Sequence, residues 1–158
     1  LATNFVVENN LFASHMHIDL RQPSNSTARF AEAHGIPFKV IDGNNLSEVY
    51  KASQEAVKHC RENKGPYFIE SMTYRWRGHV GPREDTDVGV KRKDDLAKWK
   101  MRDPIKRLKE ALINENMFTQ NKFVELTESV DKDLAVLWEK ALIAPYPPES
   151  LLTEIVYK

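Results

Sequence analysis

Two segments of this chain carry residue types at a spacing that could do chemistry. Glu8-Asn9-Asn10 follows the apolar run Phe5-Val6-Val7. If that run is a strand of an open α/β sheet, the polar residues stand at its carboxyl end, where such sheets bind ligands. An Asn side-chain carbonyl is a hard neutral oxygen suited to Mg²⁺, which takes few protein ligands and fills its shell with phosphate oxygens and water. Asn10 is the candidate side-chain ligand, and the backbone carbonyl of Phe12 could add a second. The plainer reading of an Asn pair after a strand is a turn. The second segment is Thr73-Tyr74-Arg75-Trp76-Arg77-Gly78-His79, at the end of another apolar run. It sets an imidazole among guanidinium groups, with Gly78 permitting close backbone approach. His79 could touch a diphosphate or move a proton near neutral pH. A solvated basic loop is the plainer reading, and Trp76 between arginines could also stack on a base.

The remaining candidates are weaker. His15 and His17 share a loop, while His34 and His59 are expected on exposed helix faces, so these four make no zinc set. Cys60 is the sole cysteine and is expected on the apolar face of a helix as an inert core thiol. With one cysteine there is no disulfide framework, which fits a reducing compartment. Lys+Arg and Asp+Glu are both 23, a balance that argues against a dedicated nucleic-acid or acidic-membrane binder. The apolar runs are too short to span a bilayer.

The elements that must position these residues alternate in type. Asn4–Val7 reads as a short central strand, followed by a loop through Pro23. Ser24 or Ser26 is expected to cap a helix through Phe30 to His34, closed by Gly35. Phe38–Ile41 is a second strand, and Asn45 with Glu48 resembles a capping box. The helix it opens should set Leu46, Val49, Tyr50, Ser53, Val57 and Cys60 on one face, until Gly65-Pro66 stops it. Tyr67–Thr73 is a third strand. This order predicts a parallel α/β sheet with right-handed crossovers. From Tyr74 to Lys93 the periodicity disappears, and a loop of that length is usually functional or disordered. A short helix is expected over Asp94–Trp99, and Asp103-Pro104 begins another through Asn114. Phe123, Leu126, Val130, Leu134, Leu137 and Ala141 mark a long amphipathic helix. Pro145, Pro147 and Pro148 end it before an apolar tail, Leu151–Tyr157. The expected organisation is thus an α/β part over residues 1–93 and a helical extension over residues 94–158.

Read in order, these stretches resemble the α subunits of the thiamine diphosphate-dependent 2-oxo acid dehydrogenases (pyruvate, branched-chain 2-oxo acid and acetoin types). The resemblance rests on Phe5 to Ala13, Gly35-Ile36-Pro37, Val40 to Asn44, Val49-Tyr50, Gly65-Pro66, Ile69 to Arg75, Gly78-His79, Trp99 and Arg102 to Ile105. It implies a partial parallel-sheet thiamine diphosphate-binding fold with a helical C-terminal extension. By the same resemblance Asn10 and Phe12 would bind Mg²⁺ and the cofactor, and His79 would be the catalytic and cofactor-channel histidine. The implied chemistry is decarboxylation of a small 2-oxo acid with reductive acyl transfer to lipoyl, the cofactor carrying the reaction and the protein positioning it. The implied partners are a β subunit completing the site and a lipoyl-bearing acyltransferase, in the cytoplasm or an organelle matrix, with no nucleic acid and no membrane.

Three departures stand beside the resemblance. The family's opening Gly-Asp-Gly segment, whose Asp is its other metal side chain, does not occur in the sequence, and the abrupt start at Leu1 reads as a truncation, an expression fragment or an ordered remnant. Val80 stands where relatives often carry serine, and His15 where they often carry a small residue near the thiazolium. The chain alone is therefore expected to be inactive and to bind Mg²⁺-thiamine diphosphate weakly. The alternatives are a non-catalytic module that packs against a partner and a transketolase-like transferase using the same cofactor.

Overall fold

Alternating strands and helices build a parallel sheet over the first part of the chain. The computed structural model describes residues 1–85 and 92–154. Residues 86–91 of the long loop and 155–158 of the apolar tail lie outside the described residues. The sheet consists of β1 (Asn4–Asn9), β4 (Phe38–Asp42) and β5 (Tyr67–Met72), in the order β1-β5-β4. All pairing is parallel, from Asn4 opposite Tyr67 to Asn9 opposite Met72, and from Phe38 opposite Phe68 to Asp42 opposite Met72. The fold class is α/β, as the alternation predicts. Between Asn9 and β4 the chain forms a small hairpin of β2 (Phe12–Ala13) and β3 (Met16–His17), then α1 (Ala28–Ala33). The hairpin falls inside the segment read as a plain loop.

Asn4–Val7 was expected at the centre of the sheet; the structure puts β1 at an edge. The last strand, β5, inserts between the two earlier ones and takes the central place. Its Tyr67, Phe68, Ile69, Glu70 and Ser71 are all buried, whereas Val6 on β1 is 59% exposed. Strand alternation then divides β5 between two faces. Tyr67 and Ile69 pack with Ile41 against Ala52, Ala56 and Cys60 of α2 (Leu46–Arg61). Phe68 packs on the other face with Ala28 and Ala31 of α1.

The buried face of α2 differs from the expected one. Val49 and Cys60 do face the sheet, but Leu46, Tyr50 and Val57 are exposed, and the alanines Ala52 and Ala56 lie inward. The large side chains of the sheet already fill the interface, so the helix approaches through its small residues. His59 is likewise not on an exposed face. Its ring meets Tyr67 edge-on at 5.4 Å, and its Nε2 is buried. Asn45 caps α2 by accepting from Ser47 N at 3.2 Å, while Glu48 accepts from the Asn45 side chain at 2.9 Å and from Asp42 N, leaving the Asn45 N–H that a capping box would use to Asp42 O. Gly43 is required at the turn out of β4, because a Cβ there would lie 3.0 Å from Met72 O and Ser71 Cβ.

α3 (Lys93–Lys100) and α4 (Pro104–Asn114) follow the loop. Asp103 caps α4 as expected, its Oδ1 accepting from Ile105 N at 2.8 Å and Lys106 N at 3.2 Å. The chain divides into two compact units, Leu1–Ala111 and Leu112–Lys158. In the second, the N–H groups of Met117 and Phe118 donate to Leu112 O. Thr119 then caps α5 (Gln120–Ile143), and α6 (Leu151–Glu154) begins the expected tail.

Candidate functional site

Because β1 and β5 are parallel, with Asn9 opposite Met72, both segments singled out in the sequence leave the same, carboxyl end of the sheet. Thr73 N donates to Asn9 O at 2.9 Å and locks the two exits together. Asn9 itself is buried and committed inward. Its Nδ2 donates to Asn25 O at 2.8 Å and Glu70 Oε1 at 2.6 Å, and its Oδ1 accepts from Leu11 N at 3.0 Å. Asn10, the next residue, is half-buried. Its Oδ1 accepts from Phe12 N at 3.0 Å, a turn that Leu11 completes at a φ of 68°. Asn10 and Phe12 are thus held in one tight turn. The hairpin bond from Ile18 N goes to Leu11 O, at 2.8 Å.

Glu70 fixes this turn from below and was not singled out in the sequence. It points to the α1 face, as Phe68 does, and is completely buried. Its carboxylate accepts from Asn9 Nδ2, from the Ser26 hydroxyl, from Thr27 N and Oγ1 at 2.7 and 2.9 Å, and from Ala28 N at 3.1 Å. The N–H groups of Thr27, which precedes α1, and of Ala28, its first residue, therefore reach a distant strand residue, and Ser26 Oγ shares the Ala28 donor at 3.2 Å. Burial pushes the Glu70 carboxyl up, but the donors from Ser26, Thr27 and Asn9 outweigh it and hold it below the usual carboxylate range. The available signal was a lone acid within the buried run Tyr67 to Ser71.

The second segment folds over an aromatic cluster. Phe12 meets Tyr74 edge-on with ring centroids 5.5 Å apart, Tyr74 stacks on Trp99 at 5.5 Å, and Leu96 is buried with them. Burial pushes the Tyr74 phenol up, against the opposing field of Arg92. Arg92 is 1% exposed, with its guanidinium 5.4 Å from the Phe12 and Tyr74 ring centroids. It donates to the carbonyls of Arg75 and Arg77. Arg75 in turn donates to Ser14 O at 2.7 Å, which joins the loop to the hairpin.

His79 is exposed and stands beside His15, their ring centroids 6.4 Å apart. Asp85 links them. His79 N donates to Asp85 Oδ2 at 2.8 Å, and His15 Nδ1 lies 3.5 Å from the same oxygen. His17 is held apart from this pair, its Nδ1 accepting from Asp19 N at 3.3 Å. His34 ends α1 on the surface. Cys60 is buried, donating from Sγ to Asn4 Oδ1 at 2.9 Å. Neither Asp85 nor Arg92 was legible as a site residue, since both belong to a stretch without periodicity. Among the described residues, no group of three His, Cys, Asp or Glu could hold a metal ion. No described helix is long and apolar enough to cross a membrane.

The geometry can be set against known proteins. Residues 1–149 match the dehydrogenase E1 component family. The chain is 34% identical over 154 residues to the chloroplastic pyruvate dehydrogenase E1 component subunit alpha-3 of Oryza sativa subsp. japonica, covering 97% of this chain and 35% of that protein. It is 31% identical to the pyruvate dehydrogenase E1 component subunit alpha of Porphyra purpurea, covering 97% and 44%. With the corresponding subunit of Rhizobium meliloti (strain 1021) the identity is 30%, covering 96% and 43%. The chain therefore spans less than half the length of these relatives. Matched over residues 1–149, it belongs to the dehydrogenase E1 component family.

Proposed function

We propose that the intact protein is the α-type subunit of a thiamine diphosphate-dependent dehydrogenase component acting on a small 2-oxo acid or acetoin. Its reaction on a 2-oxo acid is decarboxylation with reductive acyl transfer to a lipoyl group. What supports this reading is the convergence of two segments at the carboxyl ends of β1 and β5. The Asn10 turn and the His79 loop touch through Phe12 and Tyr74, and His15 and His79 stand edge-on, 6.4 Å apart, beyond them. Ligand sites of open α/β sheets form at such strand ends.

The residues fit a bound magnesium ion in part. Asn10 Oδ1 accepts one hydrogen bond and keeps a second lone pair, while the Phe12 carbonyl offers another neutral oxygen. Mg²⁺ usually draws its remaining ligands from water and phosphate, so two protein oxygens suffice on this side. When bound, thiamine diphosphate supplies the electron sink for decarboxylation. The chain's own contribution is to hold the metal oxygens in a fixed turn, to place the His79 imidazole where a proton is given or taken, and to shield the base of the site with Phe12, Tyr74 and Trp99. A β subunit would complete the site and a lipoyl-bearing acyltransferase would receive the acyl group. Residues 1–93 would carry the cofactor half-site and residues 94–158 the extension. The setting would be the cytoplasm or an organelle matrix.

The test is to purify the intact subunit with its β partner and measure decarboxylation of 2-oxo acids, and turnover of acetoin, with and without Mg²⁺ and thiamine diphosphate. Cofactor-dependent turnover and acylation of a lipoyl domain are expected. Ketol transfer between sugars would make the protein a transketolase-like transferase. Absence of turnover on every substrate would make it a packing module.

A further inference from the structure

Resting on that proposed function, we infer that Glu70 is a positioning residue for the magnesium ion. Acting through the Asn9 amide, it holds the turn that presents the Asn10 and Phe12 oxygens, and so sets the affinity for the metal. The parallel register places Glu70 opposite Val7, and Asn9 lies two residues beyond Val7 on β1. Residues two apart share a face of a sheet, so Asn9 and Glu70 both stand on the α1 side, where Val7 and Phe68 pack. There Asn9 Nδ2 donates to Glu70 Oε1 at 2.6 Å and to Asn25 O at 2.8 Å. A carboxylate only accepts and an amide nitrogen only donates. Glu70 therefore decides which way the Asn9 amide lies, and it turns Oδ1 toward Leu11 N, 3.0 Å away. Leu11 has a φ of 68°, a conformation that a non-glycine residue keeps only where its surroundings over-determine it. On either side of Leu11 stand the two proposed metal ligands, joined by the bond from Phe12 N to Asn10 Oδ1.

The two oxygens of Glu70 divide their partners. Oε1 accepts from Asn9 Nδ2, Thr27 N and Thr27 Oγ1, whereas Oε2 accepts from the Ser26 hydroxyl and Ala28 N. Oε1 is thus the atom on which the metal turn depends, and Oε2 serves the start of α1. A glutamine that keeps its oxygen toward the three donors at the Oε1 position retains the Asn9 bond and gives up the Oε2 partners. Ser26→Ala likewise removes a partner of Oε2 alone. Stability and metal affinity should therefore separate among variants of this one network.

The test uses the intact subunit in complex with its β partner. Mg²⁺ is titrated calorimetrically at saturating thiamine diphosphate, and amide exchange is followed without metal. Glu70→Leu should weaken Mg²⁺ binding about 10- to 100-fold, the usual cost of losing a group that orients a metal ligand. It should also quicken exchange at the Leu11 amide about tenfold or more. Asn9→Ala should do the same while leaving Thr27 and Ala28 bound to Glu70, and it decides the matter if Glu70→Leu does not fold. Glu70→Gln should recover most of the affinity lost in Glu70→Leu while its stability stays low. Ser26→Ala should lower stability with the Mg²⁺ Kd within about threefold, since it touches no group that orients the turn. In an Asn9→Ala background Glu70→Leu should cost less than about threefold more, because members of one network are not additive. Unchanged Mg²⁺ affinity in Asn9→Ala overturns the inference. So does an affinity that falls in step with stability through Glu70→Gln and Ser26→Ala. Full additivity overturns the assignment that Glu70 acts through Asn9. A wild-type complex that binds no Mg²⁺ overturns the proposed function and the metal role together, whereas wild-type binding that the variants leave intact overturns this inference alone.

Discussion

A buried carboxylate is costly unless donors surround it, and Glu70 meets that condition with five hydrogen bonds from Asn9, Ser26, Thr27 and Ala28. Glu70→Gln keeps the volume but sets an amide N–H₂ against N–H groups that need an acceptor. We expect a loss of about 2–3 kcal/mol in denaturant unfolding, as for other buried groups left unsatisfied. The sign of the pH effect follows from the same contacts. The folded carboxyl lies below its ordinary 4.5, so its stabilisation is present above that pH and is lost as pH falls through the lower folded value. The Gln variant should lack this acid-sensitive component, and identical acid-unfolding slopes in the two proteins would contradict the account. His79 is the opposite kind of residue. It is exposed, so His79→Ala should leave the thermal midpoint nearly unchanged while lowering the turnover proposed for the intact protein about 10²–10⁴-fold. Near-normal turnover would return His79 to a solvated basic loop. Between these two lies the limit of what the sequence shows one residue at a time. Asn10 and His79 stand out because they follow apolar runs, whereas Glu70 stands within such a run, and Asp85 meets His79 and His15 only in the folded chain.

At the scale of elements, local signals were read most accurately where they are local in cause. Asp103-Pro104 marks the start of α4 because the cap acts on N–H groups two and three residues away. Asp103→Ala should cost about 1 kcal/mol, and an unchanged unfolding midpoint would show that the end of the helix is held by other contacts. The start of α1 shows the reverse. Of the visible capping candidates Ser24 and Ser26, Ser26 does accept the Ala28 N–H, but it shares that donor with Glu70, which lies far along the chain and also takes the Thr27 N–H. No local pattern encodes a cap delivered by another strand. The buried face of α2 departs from the apolar pattern for a related reason. Counting large apolar residues selects Leu46, Tyr50 and Val57, yet the sheet needs small ones beneath it, so Ala52 and Ala56 are buried. The parallel class of the sheet was legible from alternation, but its order was not. Nothing in the sequence of β5 announces that it inserts between β1 and β4, beyond its apolar run on both faces.

For the whole molecule, what the two units leave uncovered is as informative as what they bury. On the sheet, Phe5 and Val6 of one edge strand and Phe38 and Val40 of the other are exposed, each above 40%. Leu46 and Tyr50 stand out from α2. In the second unit no residue of α5 is buried, and Val130, Leu134, Leu137 and Trp138 are about half exposed or more. Exposed strand edges recruit other strands, and contiguous apolar patches larger than a few hundred Å² mark surfaces that associate. The 158-residue chain in isolation should therefore not behave as a monomer. Light scattering over a dilution series should give a mass that rises with concentration. Val6→Lys places a charge on the outer edge of β1, one of the devices by which proteins block edge pairing, and should lower the association without lowering the unfolding midpoint, since Val6 is 59% exposed. If Val6→Lys leaves the association unchanged, the contact runs through α5 or α2, and Leu134→Glu or Tyr50→Glu should then weaken it. A constant monomer mass at all concentrations would mean that these apolar surfaces are too dispersed to act as one patch, and the expectation would fail.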